Sequence, residues 1–158
     1  MSTISHVSDF DFLVGKWNVL NKRLKDRLSG SEEWIEFTGT LEVRKTLDGL
    51  ANIDEYKTEV NGKHFEAVTI RLFNPSTELW SIYWMDSFTA ELTLQVTGGF
   101  RDGKGEFYGE EMFRGKKVKL KFLWTSITET NAKWEQAYYD EEKDEWETNW
   151  VMEFTCAE

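Results

Sequence analysis

Apolar and polar residues alternate along most of this chain. The cleanest run sets Ile35, Phe37, Leu41, Val43 and Leu47 on one side and Trp34, Glu36, Thr38, Thr40, Glu42 and Arg44 on the other. That period of two marks a half-buried β-strand. Gly39 interrupts it, where a bend or bulge fits. Asp48-Gly49 and Asn61-Gly62 are tight-turn dipeptides, and Ala51 to Val60 between them reads as a strand. Phe65 to Phe73 is the next, stopped by Asn74-Pro75-Ser76. Leu79 to Asp86 follows as a short aromatic strand, and then Leu92, Leu94 and Val96 alternate with Thr93, Gln95 and Thr97. Gly98-Gly99, Asp102-Gly103 and Gly105 read as hairpin turns. Glu106 to Phe113 runs to Gly115, and Val118, Leu120, Phe122 and Trp124 then alternate with Lys117, Lys119 and Lys121. Ala132 to Tyr139 and Trp146 to Phe154 form a last hairpin across the solvated acidic loop Asp140 to Glu145.

The beginning differs. Ser8 can cap a short helix, with Asp11 in a capping-box position, Phe10, Leu13 and Val14 on one face, and Gly15 as the stop. Leu20, Leu24 and Leu28 fit both periods, and the strands that follow favour a strand from Trp17 to Leu28. The sum is an all-β chain of about ten antiparallel strands, and sheets this large close to remove their edges. The expected fold is one up-and-down barrel over residues 1–158, with residues 1–14 as an N-terminal arm and short plug helix. A barrel of that size leaves some space beyond what its side chains fill.

Two stretches resemble known barrels. Gly15-Lys16-Trp17, after a short helix, resembles the Gly-x-Trp signature of the lipocalin and calycin barrels. Phe12 to Trp17 also resembles the opening of nitrobindin-type barrels. Further along, Arg71-Leu72-Phe73-Asn74-Pro75, Trp80-Ser81-Ile82-Tyr83-Trp84, Trp134-Glu135-Gln136-Ala137-Tyr138 and Trp146-Glu147-Thr148-Asn149-Trp150 resemble an uncharacterised bacterial family catalogued as a domain of unknown function. The resemblance implies a lipocalin-like barrel and carries no activity with it. Nitrobindin-type barrels place a haem-ligating His in the last strands. The two histidines here are His6 and His64, so haem is not expected.

Composition narrows the partners. The formal charge is −10, which repels nucleic acid and anionic membranes. The single cysteine, Cys156, makes neither an internal disulfide nor a Cys-rich zinc site. No basic leader and no stretch of roughly 20 apolar residues is present, so the expected location is the cytoplasm. Eight Trp and eleven Phe are a heavy aromatic load, and an interior lined with them suits a small hydrophobic or aromatic ligand.

The candidate site is built from those rings. Trp134, Gln136 and Tyr138 share one face, and Trp146, Thr148, Trp150 and Met152 share one on the partner strand. Together they form either a ligand wall with sparse polar groups or a solid aromatic core with Gln136 satisfied by backbone. Of the Leu79–Asp86 strand, either Trp80, Ile82 and Trp84 or Ser81, Tyr83 and Met85 face inward. Arg71 either anchors a ligand carboxylate or, the favoured reading, points outward and pairs with Asp54 or Glu55. The expected pocket is therefore Trp84, Trp134, Gln136, Tyr138, Trp150 and Met152, with Arg71. It is entered at the end away from a Phe10–Trp17 plug.

No catalytic residue, metal or cofactor is assigned, because no triad order, phosphate loop or dinucleotide fingerprint occurs. Two other functions stay open. A filled barrel could act through its surface and form a homodimer along a strand edge. A small enzyme could use Tyr83, Tyr138, Arg71 and an inward Glu55 for acid–base work, which an inward carboxylate of raised pKa would favour.

Overall fold

Alternation runs the length of the chain because ten strands each bury one face. The computed structural model describes residues 5–157. Its strands are β1 (Gly15–Leu24), β2 (Trp34–Thr46), β3 (Ala51–Val60), β4 (Lys63–Asn74), β5 (Leu79–Asp86), β6 (Thr93–Arg101), β7 (Lys104–Phe113), β8 (Lys116–Thr125), β9 (Asn131–Asp140) and β10 (Glu145–Cys156). Each pairs antiparallel with its sequence neighbours, and β1 pairs with β10 to close the ring. Closure removes the two edge strands that an open sheet would leave. Among the described residues no helix is long and apolar enough to cross a membrane.

The N-terminal helix is shorter than expected. It is a single 3-10 turn, Asp11–Leu13, without a side-chain cap. The Asp11 N–H bonds the Ser8 backbone carbonyl instead of its hydroxyl. Phe10 and Leu13 are buried, but Val14 is exposed, because the chain leaves the turn extended at Val14 and no further turn carries it inward. Phe10 nonetheless plugs the barrel. Its ring meets Trp80 and Phe100 edge to face, with centroids 4.9 and 4.8 Å away. The Trp17 indole N–H donates to the Leu13 carbonyl at 2.8 Å and ties the turn to β1.

Other boundaries moved for packing reasons. β1 ends at Leu24, and residues 25–33 leave the sheet as a loop. Leu47 is exposed in a 3-10 turn rather than continuing the inward row of β2. Gly98 and Gly99 lie within β6, not in a turn. A Cβ on Gly98 would stand 2.1 Å from the Glu106 carbonyl oxygen, and one on Gly99 1.7 Å from the Ser5 hydroxyl. These glycines permit close backbone approach, the second use of glycine in a strand. Gly105 likewise lies inside β7, against the rings of Phe100 and Phe107.

Candidate functional site

The floor of the barrel is polar beneath its aromatic plug. Asn52 and Asp54 on β3 and Arg71 on β4 all face inward and are buried. Arg71 Nη1 lies 2.7 Å from Asp54 Oδ2 and donates to Asn52 Oδ1 at 2.9 Å. The Thr69 N–H donates to Asp54 Oδ1 at 3.1 Å. The guanidinium carbon sits 5.4 Å from the Phe10 ring centroid and 5.9 Å from that of Trp124. Burial raises the Asp54 pKa from its ordinary 3.8, against the pull of Arg71. The expectation of an outward Arg71 is therefore corrected. Its partner was among those expected, but the pair is internal, because the β4 period that buries Ala67, Thr69 and Phe73 buries residue 71 with them. Glu55 is exposed and Tyr83 lies on the opposite face of β5 from buried Trp80 and Ile82. Neither can serve an acid–base role inside the barrel.

Above the floor the lumen is crossed by aromatics. The inward set on β5 is Trp80, Ile82 and Trp84. Trp84 meets Trp150 of β10 at 6.4 Å between centroids, Trp150 meets Trp134 at 5.7 Å, and Trp134 meets Phe122 at 4.9 Å. Met152 pairs in register with Trp134 and is buried beside them. The Trp150 indole N–H donates to Asn21 Oδ1 at 3.0 Å, and that of Trp84 to Asp86 Oδ2 at 2.7 Å.

Trp146 and Thr148 do not join this wall. The β9–β10 register shifts between Thr148 and Trp150, where Asn149 is the extra residue. Such a bulge reverses which residues face inward. Glu147 thus sits opposite Tyr138, while Trp146 faces Tyr139 on the outside, beneath the Lys121 ammonium at 4.8 Å. Fully buried Asn149 accepts a hydrogen bond from Gln136 Nε2 at 2.8 Å, so Gln136 is satisfied by a side chain, not by backbone.

The end away from Phe10 differs in character. There Ile35, Phe37, Phe65, Trp84 and Phe113 face inward but are only half-buried. Tyr138 accepts from Arg27 Nη1 at 2.7 Å and donates to the Glu111 carboxylate. Burial raises the Tyr138 pKa, with Arg27 opposing and Glu111 adding to the rise. The Leu28 N–H donates to Glu147 at 2.8 Å. The 25–33 loop is thereby tied over the β9–β10 side of the mouth. Arg23 lies between Trp150 and Ile35 in register, its guanidinium 4.8 Å from the Trp150 centroid. Asn21 Nδ2 and the Tyr56 hydroxyl are buried near each other, and neither completes a well-formed hydrogen bond.

Two concavities lie away from this end. One of about 970 Å³ is on the outer face around β1–β3 and β10, lined by residues such as Asn18, Thr38, Lys57, His64 and Glu153. Another of about 360 Å³ lies at the floor beside Phe12, Trp17 and Glu42. None of the expected pocket residues lines either. Among the described residues no three His, Cys, Asp or Glu side chains come together as a metal site.

Comparison with known proteins now fits this geometry. A family model described as a protein of unknown function, DUF1579, matches residues 8–155. The chain belongs to this family. Its match runs from the turn before Phe10 to the end of β10, so the barrel is the DUF1579 unit. No curated protein matches the sequence. Among solved structures, the DUF1579 chain is similar to the S-type phycobiliprotein lyase CPES from Guillardia theta. The TM-score is 0.63 at 8% identity, over 94% of this chain and 90% of that one. At that identity the likeness is one of fold alone.

Of the expected residues, Trp84, Trp134, Trp150 and Met152 come together, Gln136 adjoins them, Tyr138 sits at the mouth and Arg71 at the floor. Asn21, Arg23, Asp54, Tyr56 and Asn149 were missed. A signal existed for two of them: Asn21 and Arg23 continue the inward row of Trp17 and Val19, and a polar residue in such a row is an anomaly.

Proposed function

We propose that the protein binds a small hydrophobic or aromatic molecule at the open end of its barrel, on the platform made by Trp84 and Trp150. One observation carries this reading. Asn21 Nδ2 and the Tyr56 hydroxyl are buried near each other and neither completes a well-formed hydrogen bond, beside an aromatic lining that is only half covered. A buried polar group left unpaired costs about 1–3 kcal/mol, and a ligand acceptor would recover it. Apolar lining with a few placed polar groups is the usual composition of a small-molecule site. Trp134, Met152 and Gln136 back the platform, and Tyr138 with Arg27 frames the entrance. Arg71 leaves the ligand set, since Asp54 and Asn52 occupy it.

A phycobiliprotein lyase shares the fold, so pigment-like molecules belong in the trial set. The test is native mass spectrometry of protein purified from its host, followed by titration of fatty acids, aromatic acids, flavins and linear tetrapyrroles against tryptophan fluorescence. A co-purifying mass or saturable quenching supports the reading; silence across the set rejects it.

A second reading has its own support. The Trp84–Trp150 contact fills the lumen, and the 970 Å³ concavity lies outside. A filled barrel acting through its surface would give that silence, with a partner or a second copy bound instead. The enzyme reading keeps one point in its favour, the raised pKa of inward Asp54. That carboxyl is held by Arg71 beneath the Phe10 plug.

A further inference from the structure

We propose that the open end recognises an anionic group, with the Arg23 guanidinium as its charge partner, so that the preferred ligands are aromatic or aliphatic carboxylic acids. This rests on the mouth being the ligand site. Arg23 projects from the inward face of β1 and stacks on Trp150. Arg27, Arg71 and Arg114 each meet an oxygen, from Tyr138, Asp54 and Asp26 respectively. Arg23 meets an aromatic face and no hydrogen-bond acceptor among the described residues. The carboxylates of the mouth direct their hydrogen bonds elsewhere, Glu111 to the Tyr138 hydroxyl and Glu147 to the Leu28 N–H, and Glu111 reaches Arg23 only through its field. Burial and the neighbouring Arg27 lower the Arg23 pKa, and Tyr138, Glu111 and Tyr56 oppose them only in part, a remaining cost that a bound anion would offset.

Two further donors share that wall. Asn21 accepts the Trp150 indole N–H through Oδ1, which fixes the amide so that Nδ2 is the unpaired atom. The Tyr56 hydroxyl, pushed up to about 12 by burial, keeps its proton at neutral pH and stays a donor. Guanidinium, amide and phenol therefore each offer a donor, and the phenol oxygen is the one neutral acceptor among them. A carboxylate supplies two oxygens with several lone-pair sites and the opposite charge. Water would satisfy the neutral donors but bring no charge to Arg23, which faces the Arg27 cation as well as the Glu111 carboxylate.

The test pairs naphthoate with its methyl ester and dodecanoate with its methyl ester, each titrated calorimetrically against the full chain. Each acid is expected to bind at least about tenfold tighter than its ester, the worth of one charge-assisted hydrogen bond. Arg23→Gln should abolish that preference, and Arg23→Lys should retain part of it. Equal affinity of acid and ester in the wild-type protein overturns the anion site while the ligand cup stands. Failure of all four probes to bind overturns both. An acid preference that survives in folded Arg23→Gln overturns the assignment to Arg23. The wild-type comparison decides even where the variant does not fold.

Discussion

Trp84 and Trp150 meet edge to face in the lumen, 6.4 Å between ring centroids, although β5 and β10 lie on opposite sides of the closed ring. Each indole is tethered through its N–H, one to Asp86 and the other to Asn21. The pair is a crossbar between floor and mouth, and its position depends on those tethers.

Asp86→Ala should release Trp84. The same carboxylate also accepts the backbone N–H groups of Phe88 and Thr89. Burial pushes the Asp86 pKa up, but these bonds outweigh it and hold the carboxyl below its ordinary 3.8. Its contribution to stability is therefore present above that value and lost as pH falls through the depressed one. The variant should lose about 1–3 kcal/mol near neutral pH and less in acid, by urea denaturation at several pH values. A red shift in tryptophan emission should accompany the release.

Arg71→Met should strand the Asp54 carboxylate. Removing one partner of a buried ion pair costs about 3–5 kcal/mol, whereas replacing both is often near neutral. Arg71→Met with Asp54→Asn should recover most of the loss in a double-mutant cycle. The pH dependence is opposite in sign to that of Asp86. A folded-state pKa above 3.8 means that the native protein holds the extra proton, so the Asp54 contribution falls as pH rises from 3.8 through the raised value. Asp54→Asn should remove that slope, and melting temperature against pH reads it directly.

Gln136→Leu separates a structural role from a binding one. The Gln136 amide donates to Asn149, which sits fully buried at the bulge. Its loss should cost about 1–3 kcal/mol in chemical denaturation, because the Asn149 carbonyl is left without a donor. Ligand affinity at the mouth should change little. A large affinity loss at unchanged stability would put Gln136 in direct contact with ligand.

Gly39→Ala should also destabilise. A Cβ there would stand 2.7 Å from the Lys57 carbonyl oxygen and 3.0 Å from Tyr56 Cε1. The Tyr56 ring thus lies over the glycine, which leaves room for its hydroxyl near β1. The expected loss is about 1–3 kcal/mol from overpacking, checked by thermal unfolding. Displacing Tyr56 should also weaken any ligand bound at Asn21.

Much of this architecture is legible in the sequence. The Val118–Trp124 row, the Leu79–Asp86 strand and the Asn61-Gly62 turn appear where alternation and turn chemistry put them. Asn149 shows the limit. Nothing in Trp-Glu-Thr-Asn-Trp distinguishes a regular strand from a bulged one, yet the single extra residue sends Trp146 outside and leaves Trp150 inside. Gly98-Gly99 shows another, since adjacent glycines signal a turn and a close backbone approach alike. Arg71 shows a third: pairing with Asp54 is legible from the adjoining strands, but whether the pair lies outside or inside the barrel is not.

The sequence by itself determined an antiparallel, aromatic-rich chain of about ten strands, because a period of two and local turn residues are properties of neighbouring positions. Only the tertiary structure decided which side of each strand is the inside. That choice depends on ring closure, which brings Asn21 to Trp150 across 129 residues of chain and Trp84 to Trp150 across the lumen. Contacts so distant leave no spacing in the sequence to read, and the site is made of them.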